Sequence, residues 1–198
     1  MNSNNHPTLA RQVIPGHALL IRNIMLAVGG SLLLWASAKL QVPFYPVPMT
    51  MQTFVVLMIG TVYGWRLGAA TVALYMLEGA AGLPVFAGTP EKGIGLAYVI
   101  GPTGGYLVGY VVAAAVTGAL AGMGWDRRPS TTIVSMLAGT ALIYAFGLAW
   151  LGTVVGWDKP VLAWGLTPFL LGDLLKLALA AAILPLTWKL VAKGPSSR

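Results

Sequence analysis

Long apolar runs, separated by short polar, proline-rich or glycine-rich segments, set the pattern of this chain. Runs near twenty residues with almost no charge are long enough to cross the hydrocarbon core of a bilayer as helices. The pattern predicts six of them, at Ala18–Ala38, Met51–Tyr63, Leu67–Ala80, Pro102–Gly122, Thr131–Leu151 and Thr167–Leu190. The second and third are short and joined by a tight turn at Gly64, Trp65 and Arg66, and Pro185 is expected to kink the sixth. The reading is an all-α integral membrane six-helix bundle forming a single domain, with polar tails at 1–16 and 192–198 around a bundle at 17–191. No internal repeat or linker divides it.

Composition strengthens that reading. The chain has 198 residues, 57% of them hydrophobic and 9% charged, with a mean hydropathy of +0.79; soluble domains carry roughly a quarter charged residues. The net charge of +7 would suit nucleic acid, but the basic residues flank apolar spans instead of forming a stripe, which excludes that partner. Arg11, Arg22, Arg66, Arg127, Arg128, Lys189, Lys193 and Arg198 fall on one side of the bundle and Lys39, Lys92 and Lys159 on the other. The positive-inside rule then puts both termini in the cytoplasm. The start, MNSNNHPTLARQ, is not expected to be a cleaved signal. Without cysteine there is no disulfide, thiolate metal site or cysteine nucleophile.

The two outer connections are unusual. Leu40–Thr50 places three prolines at alternating spacing among aromatics and should be extended and stiff. Gly82–Ile100 is glycine-rich yet apolar. Irregular backbone that is also hydrophobic is expected to fold over the bundle, so these two loops are read as ordered lids on a cavity.

The chemistry concentrates at Asp173 and Lys176, three residues apart on one face of the last helix and in its outer part. Charges in a span cost several kcal/mol unless they face protein or water. The pair is either an ion bridge between helices or a polar ligand site, in which Asp173 accepts from N–H donors and Lys176 donates to a carbonyl, as a cyclic urea would demand. Gln52 and Tyr144 add polar groups at membrane depth, which neighbouring helices would also satisfy. On the fourth helix Gly101, Gly105, Gly109, Ala113, Thr117 and Ala121 form a small-residue stripe suited to helix packing. Its outer end, GPTGGY, would begin with Pro102 and leave bare backbone facing the cavity mouth. Ala27, Ser31 and Trp35 form a face of the first helix that packs internally or meets a partner. Tryptophans 125, 150, 157 and 188 mark span ends, and Glu78 and Glu91 are expected only to face water. There is no G-x-x-x-x-G-K-[ST] loop, H-E-x-x-H or G-x-S-x-G, and both histidines, His6 and His17, lie at the start, so neither ATP hydrolysis nor other hydrolytic chemistry is expected on this chain.

Four segments in order, VPFYPVPMTMQTF, GAAGLPVFAG, GPTGGYLVGY and GDLLK, closely resemble the BioY family, the biotin-capture subunits of energy-coupling-factor (ECF) transporters. The resemblance covers nearly the whole chain. It implies six membrane helices with both ends in the cytoplasm of a bacterial inner membrane, a substrate site near the outer surface, no cofactor, and biotin as ligand. Biotin's ureido ring carries the two N–H groups and one carbonyl that Asp173 and Lys176 would read. It further implies that the fused rings lie between Gly104, Gly105 and Tyr106 and the loops carrying Gln52, Phe86, Ala87 and Gly88. Lys92 is the nearest cation for the ligand carboxylate, while Glu78 and Glu91 depart from the family's apolar or glycine-rich pattern. A transmembrane coupling subunit and two cytoplasmic ATPases would be partners, with Ala27 and Ser31 as a docking face. Self-association, and transport without a dedicated module, stay open. Rival readings are capture of another vitamin, a proton-coupled carrier using Asp173, or a scaffold.

Overall fold

The computed structural model describes residues 8–13 and 19–193. The tails expected at 1–16 and 192–198, the start of the first helix at Ala18, His6, His17, Arg198 and the side chains of Arg11 and Lys193 lie wholly or partly outside the described residues. The elements in order are α1 (Leu9–Val13), α2 (Leu19–Lys39), strands β1 (Gln41–Val42) and β2 (Met49–Thr50), α3 (Gln52–Tyr63), α4 (Trp65–Ala80), α5 (Leu96–Val99), α6 (Gly104–Gly122), α7 (Pro129–Val155), α8 (Val161–Gly165) and α9 (Leu170–Lys193). A 3-10 turn at Thr167–Phe169 leads into α9. The architecture is mostly helical. Short helices α1, α5 and α8 and a two-stranded hairpin, none of them expected from the sequence, stand among the longer helices.

Four spans, Leu19–Lys39, Gly104–Gly122, Pro129–Val155 and Val161–Val191, are long and apolar enough to cross a membrane. Within α2 only 22% of the apolar window is buried, against 61% within α6, so α6 is central and α2 peripheral. Leucines and isoleucines such as Leu20, Ile24, Leu32 and Leu33 cover the outer face of α2. With 12 and 16 residues, α3 and α4 reach only about 18 and 24 Å, short of a core about 30 Å thick. That shortfall leaves depth for the connecting loops to enter.

Gly64 alone separates α3 from α4, in place of the three-residue turn expected. Its φ of +84° reverses the chain at once, and Thr8 Cγ2 would lie 2.9 Å from any Cβ there. The helix expected from Pro102 begins instead at Gly104, with Thr103 as its cap. α7 extends beyond both expected ends, with Pro129 in its first turn. Pro185 sits inside α9, which is helical on both sides of it.

The small-residue stripe of α6 packs against α7. A Cβ on Gly109 would lie 2.9 Å from Ile143 Cα and 3.1 Å from its carbonyl oxygen, so the backbones meet directly. Gly105 faces Trp150 and the Phe146 carbonyl, and Gly139 of α7 receives Thr117. Gly29 on α2, by contrast, has open space around it. Gly109→Val is therefore expected to cost about 1–3 kcal/mol through overpacking, and Gly29→Ala to be neutral or gain up to about 1 kcal/mol of helix propensity. Thermal unfolding in detergent should rank Gly109→Val below the parent and Gly29→Ala at or above it; an unshifted Gly109→Val would contradict the close approach.

Candidate functional site

The first turn of α9 carries Asp173, where the positive end of the helix dipole favours a carboxylate. One turn on, Lys176 Nζ lies 3.0 Å from Asp173 Oδ1, with the side chains 11% and 8% exposed. Neither charge depends on its partner alone. Lys176 Nζ also donates to Thr53 Oγ1 at 2.8 Å, on the first turn of α3. Tyr144 Oη, from α7, donates to Asp173 Oδ2. Three helices thus converge on one ion pair, and each brings a polar group to it.

Around the pair is a cleft of about 440 Å³, counting its open mouth. Thr53, Tyr144, Asp173 and Lys176 supply one side; Val47 to Thr50 of the hairpin, Gln52, Ala87, Thr103, Tyr106, Tyr110, Ile143 and Phe169 supply the rest. The hairpin pairs Gln41 with Thr50 and Val42 with Met49, so the proline-rich segment doubles back where an extended strut was expected. Phe44 at its tip meets Phe169 edge-on, 6.2 Å between ring centres. Gln52 Nε2 donates to Tyr75 Oη at 2.8 Å, and Tyr75 Oη donates to the Val85 carbonyl at 2.8 Å. One polar chain therefore joins the cleft wall to the second loop. Tyr106 donates to the Gly165 carbonyl at 2.7 Å, tying α8 to this cleft-lining tyrosine, a contact that the sequence did not announce. A ring-sized polar ligand with adjacent donor and acceptor groups matches this lining: apolar and aromatic walls with a few convergent polar groups.

The BioY family model matches residues 5–193. The chain belongs to the BioY family. It is 40% identical over 153 residues to the biotin transporter BioY of Thermotoga maritima, covering 76% of this chain and 86% of that protein. The probable biotin transporter BioY of Pyrococcus horikoshii is 37% identical over 146 residues, covering 74% and 83%. In fold it is similar to the S-component for biotin from an ECF-type ABC transporter, with a TM-score of 0.70 at 21% identity over 89% of this chain and 95% of that one.

In this BioY-family chain, Gln52, Ala87, Tyr106, Tyr144, Asp173 and Lys176 come together at the cleft. Phe86 stands behind it: fully buried, it stacks on Tyr98 at 4.7 Å, meets Tyr75 edge-on, and fills the space a side chain on Gly79 would need. Gly104 and Gly105 do not line the cleft; they turn toward the Val99 carbonyl and Trp150, so the bare backbone expected at the mouth is used for packing. Gly88 lies beside the lysine stem of Lys92, and Lys92 is exposed outside the cleft. Ser31 is buried and donates to Glu78, so it faces the bundle and Glu78 does not only face water; Ala27 is half-buried. Thr53, Tyr110, Thr103, Phe169 and the supporting Tyr75 were missed. Thr53 follows Gln52 directly, and Tyr110 lies one turn after Tyr106 on the same face of α6, a spacing that offered a signal.

The second loop is held down by Lys39 at the end of α2. Its Nζ donates to the carbonyls of Pro84 (2.9 Å), Phe86 (3.1 Å) and Thr89 (3.2 Å) and to Thr89 Oγ1 (3.0 Å). Burial raises the pKa of Tyr98 in that loop above the ordinary phenol range, so Tyr98 stays neutral under Phe86. Lys39→Met is expected to free the loop. Amide exchange within 84–92 should speed up at least several-fold while α6 and α7 keep their protection; unchanged exchange would show that Lys39 does not hold the loop.

Proposed function

We propose that this chain is the biotin-binding S component of an ECF-type transporter, capturing the vitamin from outside the cell and delivering it inward. The observation that carries this reading is the Asp173–Lys176 pair with Thr53 and Tyr144 around it. A carboxylate has about four lone-pair directions and an ammonium three protons. Lys176, Thr53 and Tyr144 occupy part of that capacity. What is left suits the two N–H groups and the single carbonyl of a ureido ring. Tyr106, Tyr110 and Phe169 offer flat apolar surface for the fused rings.

Orientation follows from the cations. Arg22, Arg66, Arg127, Arg128 and Lys189 lie at one end of the bundle and Lys39, Lys92 and Lys159 at the other, which favours a cytoplasmic location for the first end and for both chain termini. The cleft then opens outward, beneath the hairpin and the Lys39-bound loop. The host membrane is a bacterial cytoplasmic membrane, with a transmembrane coupling subunit and two ATPases as partners. The exposed apolar face of α2 around Ala27 is the docking face for the coupling subunit, without Ser31.

Titration of biotin into the purified chain in detergent tests this reading, with thiamine and riboflavin as controls. The parent should bind biotin alone. Asp173→Asn and Lys176→Met should each lose about 2–5 kcal/mol of binding, since each strands a buried charge or its ligand partner. Failure of the parent to bind biotin removes the function, and parent-like binding by both variants removes the site. A milder Tyr144→Phe loss of about 1–2 kcal/mol is expected from the same titration, because Asp173 loses one donor.

A further inference from the structure

At the end of the bundle opposite the cleft, a separate cavity of about 1,220 Å³, counting its open side, lies among α1, α2, α4 and the end of α6. Its polar lining is Thr8, Arg22, Asn23, Tyr63 and Arg66, and none of its described lining residues is acidic. Arg22 is only 8% exposed. Among the described residues its side chain makes one long hydrogen bond, 3.4 Å from Nη2 to Asn23 Oδ1, and its buried Nε has no partner. Thr8 Oγ1, on the same cavity, is also buried without a partner among the described residues.

This is an unusual way to leave an arginine. A guanidinium carries five donors and stays charged, and burying it uncompensated costs several kcal/mol. Arg22 also lies in the first turn of α2, where the helix dipole repels a cation, and α4 begins at the same cavity with no side-chain cap. Arg66, by contrast, is exposed and lies 4.8 Å over the Trp65 ring, as a solvated interfacial arginine would. Positive potential from Arg22, Arg66 and the start of α4 is thus focused on a space whose described lining holds no carboxylate.

We propose that this cavity binds the phosphate headgroup of an anionic phospholipid, with Arg22 as its principal ligand and Arg66 and Thr8 assisting. The phosphate accepts from Arg22 Nε and a neighbouring Nη, the fork geometry that guanidinium offers to phosphate. Lipid is favoured over a free anion by the other half of the lining. Leu19, Leu26 and Leu67 make an apolar wall continuous with the exposed apolar face of α2, and Trp65 and Tyr63 add aromatic side chains of the kind that favour headgroup level. The proposal rests on the orientation proposed above, which puts this end at the inner leaflet, where anionic lipid and basic residues attract.

The test is native mass spectrometry of the delipidated chain with phosphatidylglycerol and phosphatidylcholine supplied in equal amounts, and inorganic phosphate as competitor. One phosphatidylglycerol should be retained in preference to phosphatidylcholine. Arg22→Gln should weaken retention at least about tenfold, because the charged two-donor fork is replaced by a single neutral amide nitrogen, Arg66→Gln less, and Lys189→Gln at the same end not at all. Biotin binding should be unchanged in all three, which keeps this outcome separate from the fate of the biotin site. For a case in which Arg22→Gln does not fold, brominated phosphatidylglycerol should quench the unaltered chain more than brominated phosphatidylcholine, with the excess lost in Trp65→Phe. Equal retention of both lipids, indifference to Arg22→Gln, or full displacement by inorganic phosphate would each overturn the proposal. So would an Arg22 requirement that emerges only with the coupling subunit added, which would point to a protein carboxylate.

Discussion

Asp173 and Lys176 are tolerable inside an apolar span only because two other helices bring oxygen to them. Thr53 comes from the start of α3 and Tyr144 from the middle of α7. That requirement fixes where three helices stand relative to one another at one end of the bundle. An ion pair left to itself at that depth would be a liability; held by Thr53 and Tyr144 it becomes a rigid arrangement of donors and acceptors.

The rest of the fold serves to hold that arrangement beneath a cover. α3 and α4 are too short to span alone, and the hairpin and second loop occupy the depth they leave. Each cover is fastened by a different interaction. The hairpin pairs with itself and leans on Phe169, while the second loop is tied by Lys39 to three carbonyls and a hydroxyl and anchored by Phe86 between Tyr75 and Tyr98. Tyr75 links the two sides, since its hydroxyl meets both Gln52 and Val85. The glycines of α6 are spent on α7, whose close approach puts Tyr144 within reach of Asp173.

The opposite end of the molecule follows another logic. There the cations outnumber the acids, Asp126 accepts from Trp188 at 2.6 Å, and Arg127 lies over the same indole at 4.4 Å. Trp188, expected as a simple belt residue, is thus part of a fixed cluster joining α9 to the loop before α7. Arg22 is the most deeply buried of these cations, and its Nε, like that of Arg127, has no hydrogen-bond partner among the described residues.

Much was legible in order along the chain. Apolar run lengths determined the main helices, because a bilayer sets a minimum length, and the rarity of charge within them singled out Asp173 and Lys176. Four ordered motifs determined the family. What sequence could not decide was direction around each helix and the path of irregular backbone. Gly104 and Gly105 had the composition of a binding surface, but packing turned them to Trp150; Phe86 and Lys92 lay in the right loop, yet one was drawn into the core and the other left outside. Ser31 and Glu78 are 47 residues apart, and only the crossing of α2 and α4 makes them partners. Local physics writes span, charge and motif into the sequence, whereas the neighbours of each side chain depend on contacts between distant segments, which only the tertiary structure decides.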